Sequence, residues 1–206
     1  MNKSEQNNLT APNTNDGHDY VDLGLSVKWA TCNIGATKPE EYGDYFAWGE
    51  ITPKETYNWH WSNYKYSSDP NTLTKYCNSS DYGIVDNKTT LEPADDAATA
   101  NWGGSWHIPT FDEWKELVDN CTLEKTEQNG VNGYKITSNK NGNSLFLPAA
   151  GYRYDDKQKD AGSYAYYWLN SLDKDSPFAQ IMNFSPHKPS AGDFRYMGHS
   201  VRPVCK

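Results

Sequence analysis

The clearest pattern of hydrophobic and polar positions is a helical one in the middle of the chain. Apolar residues recur there at spacings of three, three and one, on one face of a helix: Phe111, Trp114, Leu117 and Val118. Thr110 and Glu113 form a capping-box pattern at its start, and Pro109 blocks extension upstream. The pattern predicts a helix over 111–121 whose apolar face packs on a sheet or core.

Most of the remaining apolar runs predict strands. Asn-Gly pairs at 129–130, 132–133 and 141–142 are turn signals between short alternating runs. The candidate strands are Tyr20–Ile34, Tyr134–Ser138, Ser144–Pro148, Tyr164–Ser171, Phe178–Phe184 and His199–Cys205. Thr37–Glu40 has a second capping-box pattern and predicts a short helical turn. The order of elements predicts an α+β fold with antiparallel sheets and two short helices.

Two polar stretches have no such periodicity. Residues 1–17 have almost nothing to bury and predict a flexible polar tether, which leaves 18–206 as a single domain. Residues 52–92 are rich in Tyr, Asn, Ser and Thr, with Trp59 and Trp61 among them. Because a structureless loop of that length is uncommon in a compact domain, we expect a long ordered insertion pinned by those tryptophans.

The C-terminal quarter, from Gly151 to Lys206, has an unusual composition. It holds ten of the 29 aromatic residues, set among Ser, Asp, Asn, Lys and Gly rather than among aliphatic residues. Tyr and Trp give large contact area at low entropic cost, and small polar residues give adaptable hydrogen bonds, so this mixture is typical of a binding surface. A tyrosine-rich β-core with polar loops is the other interpretation that the composition allows.

Charge narrows the possible partners. The formal net charge is −8, which argues against nucleic acid or an anionic membrane as a partner. The segment 151–206 carries eight Lys and Arg against six Asp and Glu, so it is the least acidic part of the chain. No run of 18 apolar residues predicts a membrane span, and the first 17 residues lack the apolar region of a signal peptide.

Several segments, taken in order, resemble one known family. They are YVDLGLSVKWATCNIGA (20–36), EEYGDYFAWGE (40–50), LEPADDAATANWGGSWHIPTFDEW (91–114), NGNSLFLPAAGYR (141–153), YYW (166–168) and SVRPVC (200–205). This wording resembles the major paralogous (FISUMP) domains of gut Bacteroidetes-type bacteria. The resemblance implies a C-type-lectin-like fold and export to the cell surface, commonly as an outer-membrane lipoprotein behind a polar tether.

The resemblance also carries expectations about geometry and variability. In this fold the first and last strands usually pair, which would bring SVKWATC near SVRPVC and make Cys32 and Cys205 neighbours. The fold is similar to that of variable proteins of diversity-generating retroelements, whose C-terminal segments display many alternative residues on a fixed frame.

The four cysteines, Cys32, Cys77, Cys121 and Cys205, have spacings of 45, 44 and 84, which match no zinc-binding motif. In an exported protein an even number of cysteines favours at least one disulfide, and four buried thiols are the alternative.

Sequence motifs argue against catalysis. There is no GxSxG, HExxH or P-loop pattern, and the histidines are scattered. Formylglycine-generating enzymes share the lectin-like fold but use a close pair of C-terminal cysteines. Here only Cys205 lies near the C-terminus. We therefore expect no enzyme activity.

Calcium-dependent lectins of this fold carry an EPN or QPD motif and a later WND motif. Glu92-Pro93-Ala94 lacks the Asn, and Trp168-Leu169-Asn170 lacks the Asp. The carboxylates dense enough to bind Ca²⁺ are Asp86, Glu92, Asp95 and Asp96. The favoured alternative is that Asp95-Asp96 caps the Ala-rich turn that follows, so we expect no metal and no cofactor.

The candidate ligand-binding residues are Tyr154, Tyr164, Tyr166, Asn170, Phe194 and Tyr196. Aromatic side chains stack on sugar faces or anchor protein interfaces. Strand neighbours alternate between faces, and the sequence does not show which of these residues point outward. We expect a non-catalytic ligand-binding or adhesion domain whose aromatic face, at about 152–199, binds protein or glycan. The alternative is a structural pilus-tip or envelope scaffold.

Overall fold

The computed structural model describes residues 13–58, 60–174, 177–184 and 190–206, with the backbone alone at 190 and 191. It has fourteen strands, one 3₁₀ turn and two α-helices in these residues. The strands are β1 (Thr14–Asn15), β2 (His18–Val21), β3 (Lys28–Ala30), β4 (Tyr45–Phe46), β5 (Cys121–Gln128), β6 (Val131–Ser138), β7 (Ser144–Pro148), β8 (Tyr152–Tyr154), β9 (Lys157–Lys159), β10 (Tyr166–Leu172), β11 (Phe178–Asn183), β12 (Ser190–Phe194), β13 (His199–Ser200) and β14 (Val204–Cys205). The 3₁₀ turn is Pro93–Asp95, and the helices are α1 (Ala97–Trp102) and α2 (Phe111–Asn120).

Helix α2 confirms the helical pattern of the sequence. The Thr110 hydroxyl accepts a hydrogen bond from the Glu113 amide, and the Glu113 carboxylate accepts one from the Thr110 amide. Trp114 and Leu117 are buried on the face that packs inward. The helix ends at Asn120, one residue earlier than predicted, and Cys121 begins strand β5 instead. No helical element of the described ranges has the length and apolar character of a membrane span.

The first sheet joins the two ends of the domain. Its order is β1-β2-β3-β14, and β14 pairs with β3 so that Val204 lies opposite Trp29. The pairing that the family resemblance implied is therefore confirmed.

The single strand predicted over 20–34 is wrong, because the Gly24 amide donates to the Asp22 side chain in a turn that separates β2 from β3. Residues 13–17, assigned to the tether from sequence, contribute β1; residues 1–12 lie outside the described part.

A central five-stranded sheet separates two hydrophobic cores. Its order is β12-β11-β10-β13-β4, with β10 parallel to β13 and the other pairs antiparallel. Along β10, Trp168 faces the larger core, whereas Tyr167 and Leu169 face the smaller one. The alternation of strand side chains thus buries both members of the Tyr167–Trp168 pair, on opposite sides of the sheet.

A three-stranded antiparallel sheet, β5-β6-β7, covers the smaller core. Asn129 and Gly130, with φ angles of 51° and 83°, form the tight turn between β5 and β6, as their sequence predicts. Strand β6 begins at Val131, so the second Asn-Gly pair, at 132–133, lies within the strand rather than before it.

The insertion over 52–92 is ordered by burial rather than by regular elements. It delivers Trp61, Tyr64, Tyr66, Leu73 and Tyr76 to the larger core. Trp61 is 1% exposed, so the prediction that it anchors the insertion is confirmed; Trp59 lies outside the described residues.

At 37–40 the expected helical turn is absent. The Glu41 carboxylate accepts hydrogen bonds from the Thr37 and Lys38 amides in a non-helical turn. The fold is α+β, built mostly of antiparallel sheets.

Candidate functional site

Two groups of aromatic residues reach the surface of the C-terminal quarter. We name the first the tyrosine ledge: Tyr152, Tyr164 and Tyr166. Tyr164 and Tyr166 stack with ring centroids 5.6 Å apart and an interplanar angle of 12°, and the Tyr152 ring meets Tyr166 at 6.1 Å and 64°. Tyr164 is 42% exposed, which makes it the most exposed aromatic side chain of the described residues.

Local backbone geometry sets this arrangement. Tyr164 lies two positions before Tyr166, the first residue of β10, with Ala165 between them bridged to Gly151. This extended spacing puts both side chains on the same face. The Gly151 amide donates to the Tyr164 carbonyl at 2.9 Å, which holds Tyr152 beside them. Gly151 has a φ of 61°, and a Cβ there would lie 1.9 Å from the Lys159 carbonyl oxygen, so only glycine fits this close approach.

A buried histidine packs against the inner side of two of the ledge tyrosines. His199 is fully buried, and its ring lies 6.0 Å from Tyr166, 5.9 Å from Tyr152 and 4.4 Å from Trp168. Its Nε2 atom is 2.9 Å from Oδ2 of Asp193. Burial, reinforced by the negative charge of Asp160, raises the pKa of Tyr166 to about 12. The Tyr166 hydroxyl is therefore neutral at physiological pH and can both donate and accept hydrogen bonds.

We name the second group the aromatic groove. Its floor is formed by Trp61, Phe194 and Tyr196, and its rim by His60, Ser68, Asp69 and Pro70. The groove has a volume of about 550 Å³. Phe194 and Tyr196 stack at 5.4 Å and 21°, and Trp61 stands at 68° to Tyr196 and 89° to Phe194. On the floor of the groove, the Trp61 ring therefore stands nearly perpendicular to the stacked rings of Phe194 and Tyr196.

The six residues predicted from sequence do not form one face. Tyr164 is exposed, and Tyr154, Tyr166 and Phe194 are partly buried. Tyr196 is 4% exposed and belongs to the larger core, although it lines the groove. It was expected as an exposed residue, and that expectation is corrected, because ring contacts with Trp61 and Phe194 cover it.

Asn170 needs the same correction. It is buried at 9% exposure, its amide donates to the Pro109 carbonyl, and its carbonyl accepts from the Leu91 amide. Its side-chain oxygen accepts a hydrogen bond of 2.8 Å from the Ser171 hydroxyl. Asn170 therefore joins β10 to neighbouring segments within the fold rather than lying on an exposed face.

The structure adds residues that the sequence pattern did not single out. Trp61 and Asp69 come from the insertion, more than a hundred residues before Phe194, and Tyr152 and His199 complete the ledge. Trp61 was recognisable as an isolated tryptophan in a polar stretch, but nothing in its local sequence connects it with the C-terminal quarter.

The four carboxylates considered for calcium are engaged by protein donors. Asp95 accepts from Lys65 Nζ at 2.8 Å, Lys75 Nζ at 2.5 Å and the Tyr76 hydroxyl at 2.7 Å. Burial alone would raise the pKa of Asp95, but the hydrogen bonds from the two lysines outweigh it and hold this pKa well below its usual range. Glu92 contacts Lys75 and Lys88. These are ion pairs within the protein.

The other two carboxylates bind backbone amides. Asp86 accepts from the amides of Tyr76, Cys77 and Lys88. Asp96 is the N-cap of α1 and accepts from the amides of Ala98, Thr99 and Ile108, which confirms the capping interpretation for Asp96 but not for Asp95. Within the described ranges, no group of three or more His, Cys, Asp or Glu side chains has the arrangement of a metal site.

All four cysteines are free thiols in the structure. Cys205 lies opposite Lys28 in the pairing of β14 with β3, whereas Cys32 lies two residues beyond the end of β3. The Ile34 amide donates to the Val201 carbonyl, so the two segments stay aligned past Cys32, which places it about 13 Å from Cys205 at about 3.3 Å per residue. The α-carbons of a disulfide lie about 4.4–6.8 Å apart. The expected proximity of Cys32 and Cys205 is therefore wrong, and the structure gives no support to the expected disulfide.

Comparison with known proteins gives no assignment. No protein-family model matches this chain, no curated protein matches it, and no solved structure matches it. The function of the domain is therefore inferred from its own residues and their arrangement.

Proposed function

We propose that this chain is a non-catalytic ligand-binding or adhesion domain and that the tyrosine ledge is its contact surface for protein or glycan. The exposed stack of Tyr164 on Tyr166 carries this proposal. Tyrosine offers a rigid apolar ring and a polar hydroxyl, and residues of this kind dominate the energy of many interfaces. The buried contacts with His199 and Trp168 hold the ledge in place before a ligand arrives, which lowers the entropic cost of binding.

The fold and location are part of the same proposal. The resemblance of the sequence segments to the FISUMP domains supports a C-type-lectin-like fold and a place on the bacterial surface, reached behind a lipid anchor. The pairing of β3 with β14 is what that fold would require. The net charge of −8 favours a protein or glycan over nucleic acid. Diversification of the C-terminal segment, as in retroelement variable proteins, belongs to this proposal as well.

A structural scaffold at a pilus tip or in the envelope is the second candidate. Two exposed apolar side chains in the insertion, Ile84 at 68% and Val85 at 43%, favour it, because they could serve as assembly contacts. A scaffold should self-associate, so its size in solution should grow with concentration, whereas a monomeric adhesin should keep one size. A formylglycine-generating-like enzyme is the least favoured candidate.

The test compares wild-type protein with Tyr164→Ala and Tyr166→Ala on a glycan array and on epithelial cells, with and without protease treatment of the cells. We expect at least one variant to lose about 2 kcal/mol of binding energy, or roughly thirtyfold in affinity. Tyr82→Ala is the matched control, since Tyr82 is also a partly buried tyrosine but lies in the insertion. Equal binding by all four proteins would overturn the proposal.

A further inference from the structure

The aromatic groove has the electrostatic character of a site for a positively charged ligand. Among the described residues, its lining contains one carboxylate, Asp69, one histidine, His60, and no lysine or arginine. Oδ1 of Asp69 accepts the Asn71 amide at 2.8 Å. Among the described residues, Oδ2 has no hydrogen bond and no ion pair, and Asp69 is exposed at the rim. One oxygen of the carboxylate therefore fixes the loop, and the other is available to a ligand.

The floor of the groove adds negative potential from aromatic rings. The Phe194 and Tyr196 rings stack, and Trp61 stands nearly perpendicular to them. Because Trp61 and Tyr196 are only 1% and 4% exposed, the partly buried Phe194 offers most of the ring surface that a ligand can reach. The face of an aromatic ring attracts cations. Burial raises the pKa of Tyr196, with smaller contributions from Tyr154, Asp193 and Asp155, so its hydroxyl is neutral at physiological pH.

The dimensions suit a small ligand or a single side chain. A volume of about 550 Å³ falls within the range of small-molecule sites, which combine aromatic walls with a few placed polar groups. A purely apolar ligand would gain nothing from the Asp69 carboxylate, and an anionic one would be repelled by it.

We propose that the aromatic groove binds a protonated amine carried on a compact body, as in a lysine side chain or an amino sugar. The ammonium group lies at Asp69, and the carbon skeleton packs mainly on Phe194, the most accessible of the three rings. This site shares no lining residue with the tyrosine ledge, so it goes beyond the proposed function and does not depend on it.

The experiment titrates the full chain with matched charged and neutral probes and follows the tryptophan indole N–H signals by NMR. The pairs are Nα-acetyl-lysine amide against Nα-acetyl-norleucine amide, and glucosamine against glucose. We expect at least one amine to bind about tenfold more tightly than its neutral counterpart, with affinity that falls as salt is raised. Binding of the lysine probe alone points to a protein source, and binding of glucosamine alone points to a glycan.

Asp69→Asn is the decisive variant, because the amide oxygen can still accept the Asn71 hydrogen bond while the charge is removed. We expect it to weaken amine binding about fivefold or more. Asp81→Asn removes an exposed carboxylate of the same insertion outside the groove and should leave amine binding unchanged. Equal affinity for charged and neutral probes, no saturable binding of either amine, or an unaltered Asp69→Asn variant would each overturn the proposal.

Discussion

Arg202 donates a hydrogen bond of 2.8 Å from Nε to Oδ1 of Asn33, a residue 169 positions earlier in the chain. Its Nη1 atom donates to the carbonyls of Ala30 at 3.0 Å and Thr31 at 2.7 Å. The Arg202 side chain is fully buried. One guanidinium group therefore satisfies three acceptors on the N-terminal side of the domain and fastens the last segment to the first sheet.

We expect Arg202→Ala to lower the free energy of unfolding by at least about 3 kcal/mol, because it leaves three buried acceptors without donors. Urea denaturation followed by circular dichroism measures the loss. Arg153→Ala is the control: Arg153 is only partly buried and donates to the carbonyls of Glu55 and Asp156, so its loss should cost about 1 kcal/mol. Similar losses for the two variants would contradict the fastening role of Arg202.

Tyrosines of the C-terminal quarter should differ sharply in their effect on stability. Tyr164→Ala removes an exposed ring and should cost under about 1 kcal/mol. Tyr196→Ala and Trp114→Ala remove rings that are 4% and 3% exposed, and each should cost about 3–5 kcal/mol. Chemical denaturation of the three variants checks this order.

Tyr196→Phe separates packing from hydrogen bonding in the same comparison. It keeps the ring between Trp61 and Phe194 and should lose less than about 1.5 kcal/mol. If Tyr164→Ala unfolds the domain as severely as Tyr196→Ala does, the tyrosine ledge is part of the core and the proposed contact surface is wrong.

The ion pair between His107 and Glu113 should make stability depend on pH. Burial alone would lower the pKa of His107, but its contacts with Glu113, at 3.1 Å, and with the Ser105 carbonyl raise it above the usual value. The folded state therefore holds this proton more tightly than the unfolded state. The stabilisation is complete below the unfolded pKa of about 6.5 and is lost as the pH rises through the folded pKa.

Unfolding free energies of wild type and His107→Gln, measured between about pH 6 and pH 9, test this sign. We expect the difference between the two proteins to shrink as the pH rises. The two proteins must be compared with each other at every pH, because His18 also titrates in this range. Burial lowers the pKa of His18, so its contribution to the unfolding free energy increases as the pH rises. If the difference in unfolding free energy between wild type and His107→Gln grows with pH, the folded state does not stabilise the protonated form of His107.

Cys32 should be the first cysteine to react with a thiol reagent. It is the only one of the four that is not buried, whereas Cys77, Cys121 and Cys205 are. We expect native protein to show one fast-reacting thiol and denatured protein to show four, and Cys32→Ser to abolish the fast phase. A count below four after denaturation without reductant would reveal a disulfide that the structure lacks.

Calcium should change the thermal unfolding temperature little, since the carboxylates at 86, 92, 95 and 96 already accept hydrogen bonds from lysines or backbone amides. Differential scanning fluorimetry with millimolar CaCl₂ or EDTA makes the measurement. Ligand binding should also survive EDTA. A large upward shift in the presence of Ca²⁺ would demonstrate a site, because a ligand that binds only the folded state stabilises it by mass action.

The sequence by itself determined the elements whose stability comes from nearby residues. Helix α2 has its cap, the proline that blocks upstream extension and its apolar face within twelve positions, and the turn at Asn129-Gly130 is encoded by two residues. Local chemistry decides such elements before any distant contact forms. The aromatic composition of 151–206 predicted ligand contacts in that segment, and this stays a prediction.

Only the tertiary structure decided which strands exist and where they break. The predicted strand over 199–205 is two strands, because the chain leaves β10 and β4 at Ser200 and joins β3 at Val204. Strand β5 was missed because its sequence, CTLEKTEQ, is polar and charged, as suits the exposed edge of a sheet.

Tertiary structure also decided which aromatic residues reach the surface. Tyr164 and Tyr196 both belong to the aromatic-rich C-terminal quarter, yet one is exposed and the other is covered by Trp61 and Phe194. Burial depends on what packs over a side chain, and here the covering residue comes from an insertion more than a hundred positions away. A pattern within one segment contains no information about such a contact, so the ledge and the groove could be separated only once the chain was folded.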